Sequence, residues 1–154
     1  MGEYFDLSLI YKKNSLTSKK LKKVLLEEFA LSEGENKTKY FSNKKVLITS
    51  LSDNQIDFDE LCISLENQEF TESSFELELG RITNFVNRLF ERVEELEFVL
   101  CSYELNGYLL SDIKRLKDFD EDFLNNFPLY YKRQSRQAYA KPVFNKSAQE
   151  IIKS

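Results

Sequence analysis

Residues 73–104 read SSFELELGRITNFVNRLFERVEELEFVLCSYE, and a change of period inside this stretch decides the fold. Leu79, Ile82, Val86, Leu89, Val93 and Leu96 recur at alternating steps of three and four, the spacing of one helix face. Phe75, Phe85 and Phe90 widen the stripe. Ser73-Ser74-Phe75-Glu76 matches a capping box, with Ser73 capping and Glu76 reaching back. A helix is therefore predicted over 74–94. The run covers only about three heptads, too few to favour a coiled-coil seam over packing on a sheet. From Leu96 the period drops to two. Leu96, Phe98 and Leu100 alternate with Glu97, Val99, Cys101 and Tyr103, which predicts a strand over 96–104.

The same reading extends towards the N-terminus. Residues 57–65 alternate, with Leu61, Ile63 and Leu65 on one face and Glu60, Cys62 and Ser64 on the other. Residues 44–51 are partly β-branched, and Ser52-Asp53-Asn54-Gln55 joins the two runs as a turn, which predicts an antiparallel hairpin. Residues 32–43 have loop chemistry around Gly34. Leu21, Val24, Leu25 and Phe29 mark a helix over 17–31 with Thr17 as its N-cap; Lys19, Lys20, Lys22 and Lys23 lie on its outer side. Residues 4–11 place Phe5, Leu7 and Leu9 on one face of a first strand, and Asp6, Ser8 and Ile10 on the other.

The order strand, helix, strand, strand, helix, strand is the β-α-β-β-α-β layout of a ferredoxin-like antiparallel sheet, an α+β fold. In its 4-1-3-2 order the first strand separates the segments of Cys62 and Cys101, so both thiols are expected to be free. A single domain over 1–154 is expected, with a core at 1–104 and a helical or irregular extension at 105–154 packed on or beside the sheet. Asn106-Gly107 is a hairpin turn that leads to a short fifth strand at 108–110. Phe119, Phe123, Leu124 and Phe127 suggest one or two short helices before Pro128, and Ser147-Ala-Gln-Glu-Ile-Ile a final one. The face lined by Asp6, Ser8, Ile10, Cys62, Ser64, Val99, Cys101 and Tyr103 is expected to lie under the aromatic residues of the extension, from Tyr108 to Tyr131.

Composition removes much chemistry. The 154 residues contain no His, two Cys and four Gly. A Ser-His-Asp or Cys-His site cannot be assembled within the chain, two Cys cannot close a zinc site, and the scattered glycines form no phosphate loop. Asp118-Phe119-Asp120-Glu121-Asp122 begins like a calcium loop, but Phe123 occupies the glycine position and Leu129 the twelfth. No catalytic residue, cofactor or metal is therefore expected. No apolar run is long enough to span a membrane, and Met-Gly-Glu-Tyr-Phe-Asp opens with acids where a leader is basic, so a cytoplasmic location is expected.

Charge is segregated. Residues 1–50 carry a net +4, residues 51–131 a net −13 and residues 132–154 a net +5. Acids concentrate at Asp57-x-Asp59-Glu60, around Glu91, Glu94, Glu95 and Glu97, and at Asp118 to Asp122. Such a block suits a basic partner, whose encounter it would speed. Glu91, Glu94, Glu95, Asp118, Asp120, Glu121 and Asp122 are the candidate contacts of a non-catalytic protein-binding module, monomeric or dimeric. In size, charge and lack of chemistry it resembles a bacterial immunity protein, which neutralises a toxin, often a basic nuclease. The alternative is a nucleic-acid-associated regulator. It would use the tail in which Lys132, Arg133, Arg136, Lys141 and Lys146 interleave with Tyr130, Tyr131, Tyr139 and Phe144. The overall charge of −4 and the absence of ribonucleoprotein aromatics on the 60–65 strand disfavour it.

Overall fold

The computed structural model describes residues 4–13, 17–28, 34–36, 46–51, 55–66, 71, 73–102, 113–134 and 141–153. They form an α+β structure built on one antiparallel sheet. Its strands are β1 (Tyr4–Lys12), β2 (Gly34–Asn36), β3 (Val46–Leu51), β4 (Phe58–Glu66), β5 (Leu96–Ser102), β6 (Leu129–Lys132) and β7 (Val143–Phe144). They run in the order β2-β3-β4-β1-β5-β6-β7, so β1 lies between the strands of Cys62 and Cys101, and both cysteines are free. The helices are α1 (Thr17–Glu28), α2 (Phe75–Arg92), α3 (Glu121–Leu124) and α4 (Ala148–Lys153), with a 3-10 turn at Leu116–Asp118.

The sheet is wider than the sequence suggests at both edges. Gly34–Asn36, read as loop, pairs with β3 because the chain returns antiparallel beside it. Tyr131, read as part of a basic tail, belongs to β6, which pairs with β5 over Phe98–Cys101. The expected strand at 108–110 lies outside the described residues.

Alternation assigns each strand two faces. Phe5, Leu7, Leu9 and Tyr11 of β1, Leu61, Ile63 and Leu65 of β4, and Leu129 and Tyr131 of β6 line the first face. They pack there with Leu21, Val24 and Leu25 of α1 and Ile82, Phe85, Val86 and Leu89 of α2. Each such side chain contributes roughly 1.5–3 kcal/mol on full burial. The expected facing of β5 is reversed beyond Leu96. Val99 and Cys101 lie under the helices, whereas Phe98 and Leu100 belong to the second face. The cause is a register shift: Tyr11 pairs with Leu96 and Ile10 with Phe98, so Glu97 is an extra residue. One added residue moves every later side chain of the strand to the other face.

The start of α2 also differs from the capping-box reading. Thr71 and Ser74 make the reciprocal contact instead. The Ser74 amide donates to Thr71 Oγ1 at 3.2 Å, and the Thr71 amide donates to Ser74 Oγ at 3.1 Å. The Phe75 amide donates to the Thr71 carbonyl at 2.9 Å, so the chain already turns before the helix begins. Ser73 and Glu76 are exposed. A true capping box occurs at α4. There the Glu150 amide donates to Ser147 Oγ at 3.2 Å, and the Ser147 amide donates to Glu150 Oε1 at 3.1 Å. The Ser147 bonds hold the Glu150 carboxyl below its ordinary range.

Residues 113–127 cover part of the second face. Phe119, Leu124 and Phe127 bury against Ile10, Phe58, Phe98 and Leu100, joined by Ile113, Leu116, Phe123 and Tyr130. Phe119 is the centre of this cluster, edge-on to Phe58 at 5.0 Å and stacked on Phe98 at 5.2 Å. The cover is tied down where it begins. The Ile56 amide donates to the Lys114 carbonyl at 2.7 Å, and the Leu116 amide donates to Asp57 Oδ1 at 2.7 Å. Tyr131 does not join it, because β6 points that side chain to the first face.

Candidate functional site

The seven candidate acids form two groups. Glu91, Glu94 and Glu95 lie at the end of α2 and in the turn to β5, on the first-face side. Asp118, Asp120, Glu121 and Asp122 lie in the cover of the second face. The turn that carries Glu95 and the start of the cover both meet the end of β1, where the Lys12 amide donates to the Glu95 carbonyl and the Lys13 amide to that of Asp57. Several of these acids have structural work. Asp120 is the N-cap of α3, its carboxylate accepting from the Phe123 amide at 2.9 Å. Asp118 Oδ2 accepts from the Arg115 amide at 3.2 Å and closes the 3-10 turn. Glu95 pairs with Lys20 of α1 at 3.3 Å, and Glu91 with Arg88 at 3.3 Å. Glu94, Glu121 and Asp122 are exposed. Glu121 and Asp122 sit in the first turn of α3, where carboxylates suit the partial positive charge of a helix start.

The acidic stretch at 57–60 is absorbed by the fold residue by residue. Asp57 holds the start of the cover, Asp59 approaches Lys13 at 3.9 Å, and Glu60 points into the interior.

Arg133 has a structural part that sequence does not foretell. Its Nε donates to the Leu96 carbonyl at 2.7 Å. One terminal nitrogen donates to the Phe90 and Val93 carbonyls at 2.9 and 2.7 Å. These carbonyls lie at the end of α2 and in the turn beyond it, where the Leu96 amide also donates to the Val93 carbonyl at 3.2 Å, and a cation is favoured there by the helix dipole. The guanidinium also lies 5.0 Å from the centre of the Phe90 ring and 3.8 Å from Glu97 Oε2. Burial lowers its affinity for the proton, while Glu97, Glu94 and Glu95 support the charge. Tyr131 is fully buried. Its hydroxyl shares a 2.7 Å hydrogen bond with Thr83 Oγ1 of α2, and burial raises its pKa. Tyr131 and Arg133 are thus held by the fold, which removes one stacking ring and one phosphate-binding cation from the tail. Arg136 and Tyr139 lie outside the described residues.

Beside the aromatic cover, the second face is polar. Asp6 and Ser8 of β1 stand opposite Ser64 and Cys62 of β4, and Glu60 stands opposite Ile10. Ser64 Oγ donates to Asp6 Oδ1 at 2.7 Å, and Cys62 Sγ lies 3.8 Å from Ser64 Oγ. Ser8, Glu60 and Ser102 are buried. Neither carboxylate oxygen of Glu60 makes a hydrogen bond of good geometry. Burial is the main reason its pKa rises to about 7; Ser8 relieves part of this, and the like charge of Asp6 adds to it. Burial likewise pushes the Cys62 thiol up to about 12, with Asp6 and Glu60 adding to it, so the sulfur is a protonated thiol at neutral pH and a poor nucleophile. The alternation of β1 and β4 already placed these polar residues on one face. Their burial depends on what packs over that face, and no local signal reports it.

Among the described residues, no group of three or more Cys, Asp or Glu is placed to hold a metal ion. No helix among them is long and apolar enough to cross a membrane. Comparison of the chain with protein-family models, with curated proteins and with solved structures finds no match.

Proposed function

We propose that this chain is a non-catalytic protein-binding module whose partner is basic, of the immunity or inhibitor type. The observation that carries this reading is the exposure of Glu94, Glu121 and Asp122, carboxylates that the fold leaves on its surface. Lys20 and Arg133, from the two basic ends of the chain, are engaged by Glu95 and Glu97. Acids left on the surface steer an oppositely charged protein and set which partner is accepted. The internal roles of Tyr131 and Arg133 favour this reading over the nucleic-acid one. We also infer a single domain whose β1, β3, β4 and β5, with α1 and α2, form a ferredoxin-like unit extended at both edges. Support comes from the order β3-β4-β1-β5 with antiparallel pairing throughout. Two free cysteines fit a reducing, cytoplasmic setting.

The test is affinity capture with the tagged chain at low and high salt, comparing wild type with Glu94→Lys/Glu121→Lys/Asp122→Lys. A stoichiometric basic protein, captured by wild type and lost from a variant with unchanged circular dichroism, is the expected result. Equal capture by the variant refutes the assignment. Reversing Glu94 and the Glu121/Asp122 pair separately then tells which of the two groups makes the contact.

A further inference from the structure

Among the described residues, Glu60 is a buried carboxylate that the fold compensates only in part, through Ser8. It is 4% exposed, neither carboxylate oxygen makes a hydrogen bond of good geometry, and Ser8 offsets only part of the cost of burial. A buried carboxylate normally has a cation or several donors. The charges that could act on it are identifiable. Asp6 and Ser8 approach from β1, and Cys62 is its neighbour on β4. Across β1, β5 contributes Phe98, Leu100 and Ser102 to the same face. From β3, Leu51 is its strand partner. The cover carries the bases Lys114, Arg115 and Lys117 and the four acids already placed. Of these groups, Asp6 is the one whose charge bears on Glu60, and it is a like charge.

Glu60 also adjoins the floor of the aromatic cover. Its cross-strand partner is Ile10, and Phe58 is two residues away on the same strand face. Both bury against Phe119, Leu124 and Phe127. The cover itself is slight, a three-residue 3-10 turn and a four-residue helix. Helices this short have no stability of their own, so beyond the bonds at Lys114 and Leu116 the cover depends on packing against a dry floor.

We propose that Glu60 is a proton-operated latch: as the neutral acid it lets residues 113–127 close over the second face of the sheet, and its ionisation opens that cover. The direction follows from linkage. The closed state keeps the proton to about pH 7, whereas an open, hydrated Glu60 releases it near its ordinary 4.5. Closure is thus fully favoured below the ordinary value and is lost as pH rises through the raised one. Between pH 5 and 8 the opening constant should increase on the order of fiftyfold.

Amide hydrogen exchange of Leu116, Phe119 and Leu124 reads the opening, after correction for the intrinsic pH dependence of exchange. A rise of more than about tenfold between pH 5 and 8, abolished in Glu60→Gln, is expected. A smaller rise in wild type, or an undiminished one in Glu60→Gln, overturns the latch. Carbon-13 titration of the Glu60 carboxyl in the intact chain is a second measurement, independent of whether the variant folds. A midpoint that coincides with the opening supports the latch, and one in the ordinary carboxyl range overturns it.

Discussion

Arg133→Met should destabilise the protein by about 3 kcal/mol, because the guanidinium donates to the carbonyls of Phe90, Val93 and Leu96, of which Val93 also accepts from the Leu96 amide at 3.2 Å. Hydrogen bonds from charged donors are worth roughly 1.5–3 kcal/mol each when their loss leaves the acceptor buried. The side chain is 15% exposed, so water can replace only part of this, and the three bonds of one planar group are not additive. Methionine keeps apolar contact with Phe90, which separates lost bonding from lost packing. Arg133→Lys keeps the charge at the end of α2 without the fork that reaches Phe90, Val93 and Leu96 together, and should cost about 1–2 kcal/mol. Equilibrium urea unfolding followed by far-ultraviolet circular dichroism measures both. With a slope of about 2 kcal/mol per molar, the Arg133→Met midpoint should fall by about 1.5 M, that of Arg133→Lys by less than 1 M. An Arg133→Met midpoint within about 0.25 M of wild type would refute the reasoning, and equal losses in the two variants would show that bonding geometry is unimportant.

Three further outcomes can be checked by the same unfolding measurement. Tyr131→Phe should cost about 1 kcal/mol, and a double-mutant cycle with Thr83→Val should return a coupling of similar size; additive effects would exclude the 2.7 Å bond. Thr71→Ala should cost about 1 kcal/mol while Ser73→Ala stays within about 0.5 kcal/mol, and the reverse ranking would restore the cap to Ser73. Phe119→Ala should cost about 3 kcal/mol, with amide exchange rising in 116–127 before it rises in β1, β4 and β5. Simultaneous exchange throughout would show that cover and sheet unfold as one unit.

Much of the framework is legible from local patterns. The first face of β1 and β4 and the buried stripe of α2 each follow from period alone, because a pleated strand and a helix repeat at different intervals. Phe119, Phe123, Leu124 and Phe127 suggested one or two short helices before Pro128, and α3 (Glu121–Leu124) falls within that stretch, while the 3-10 turn at Leu116–Asp118 precedes it. The candidate acids and their two groups were equally visible, but not the structural work of Asp118, Asp120 and Glu95, whose roles depend on the fold.

The sequence by itself determined which segments become strands and helices over most of the described chain, and which chemistries its composition leaves out. Tertiary structure alone decided the rest. The extra residue at Glu97 turns Phe98 and Leu100 to the second face, since strand facing depends on how β5 meets β1. Tyr131 and Arg133 moved from an apparent binding tail into the support of α2, because their partners, Thr83 and the carbonyls of Phe90, Val93 and Leu96, are at least 37 residues away. Glu60 became a buried acid that Ser8 compensates only in part, through long-range packing. Periodicity can place a polar side chain on a face, but only the three-dimensional fold determines whether water reaches that face.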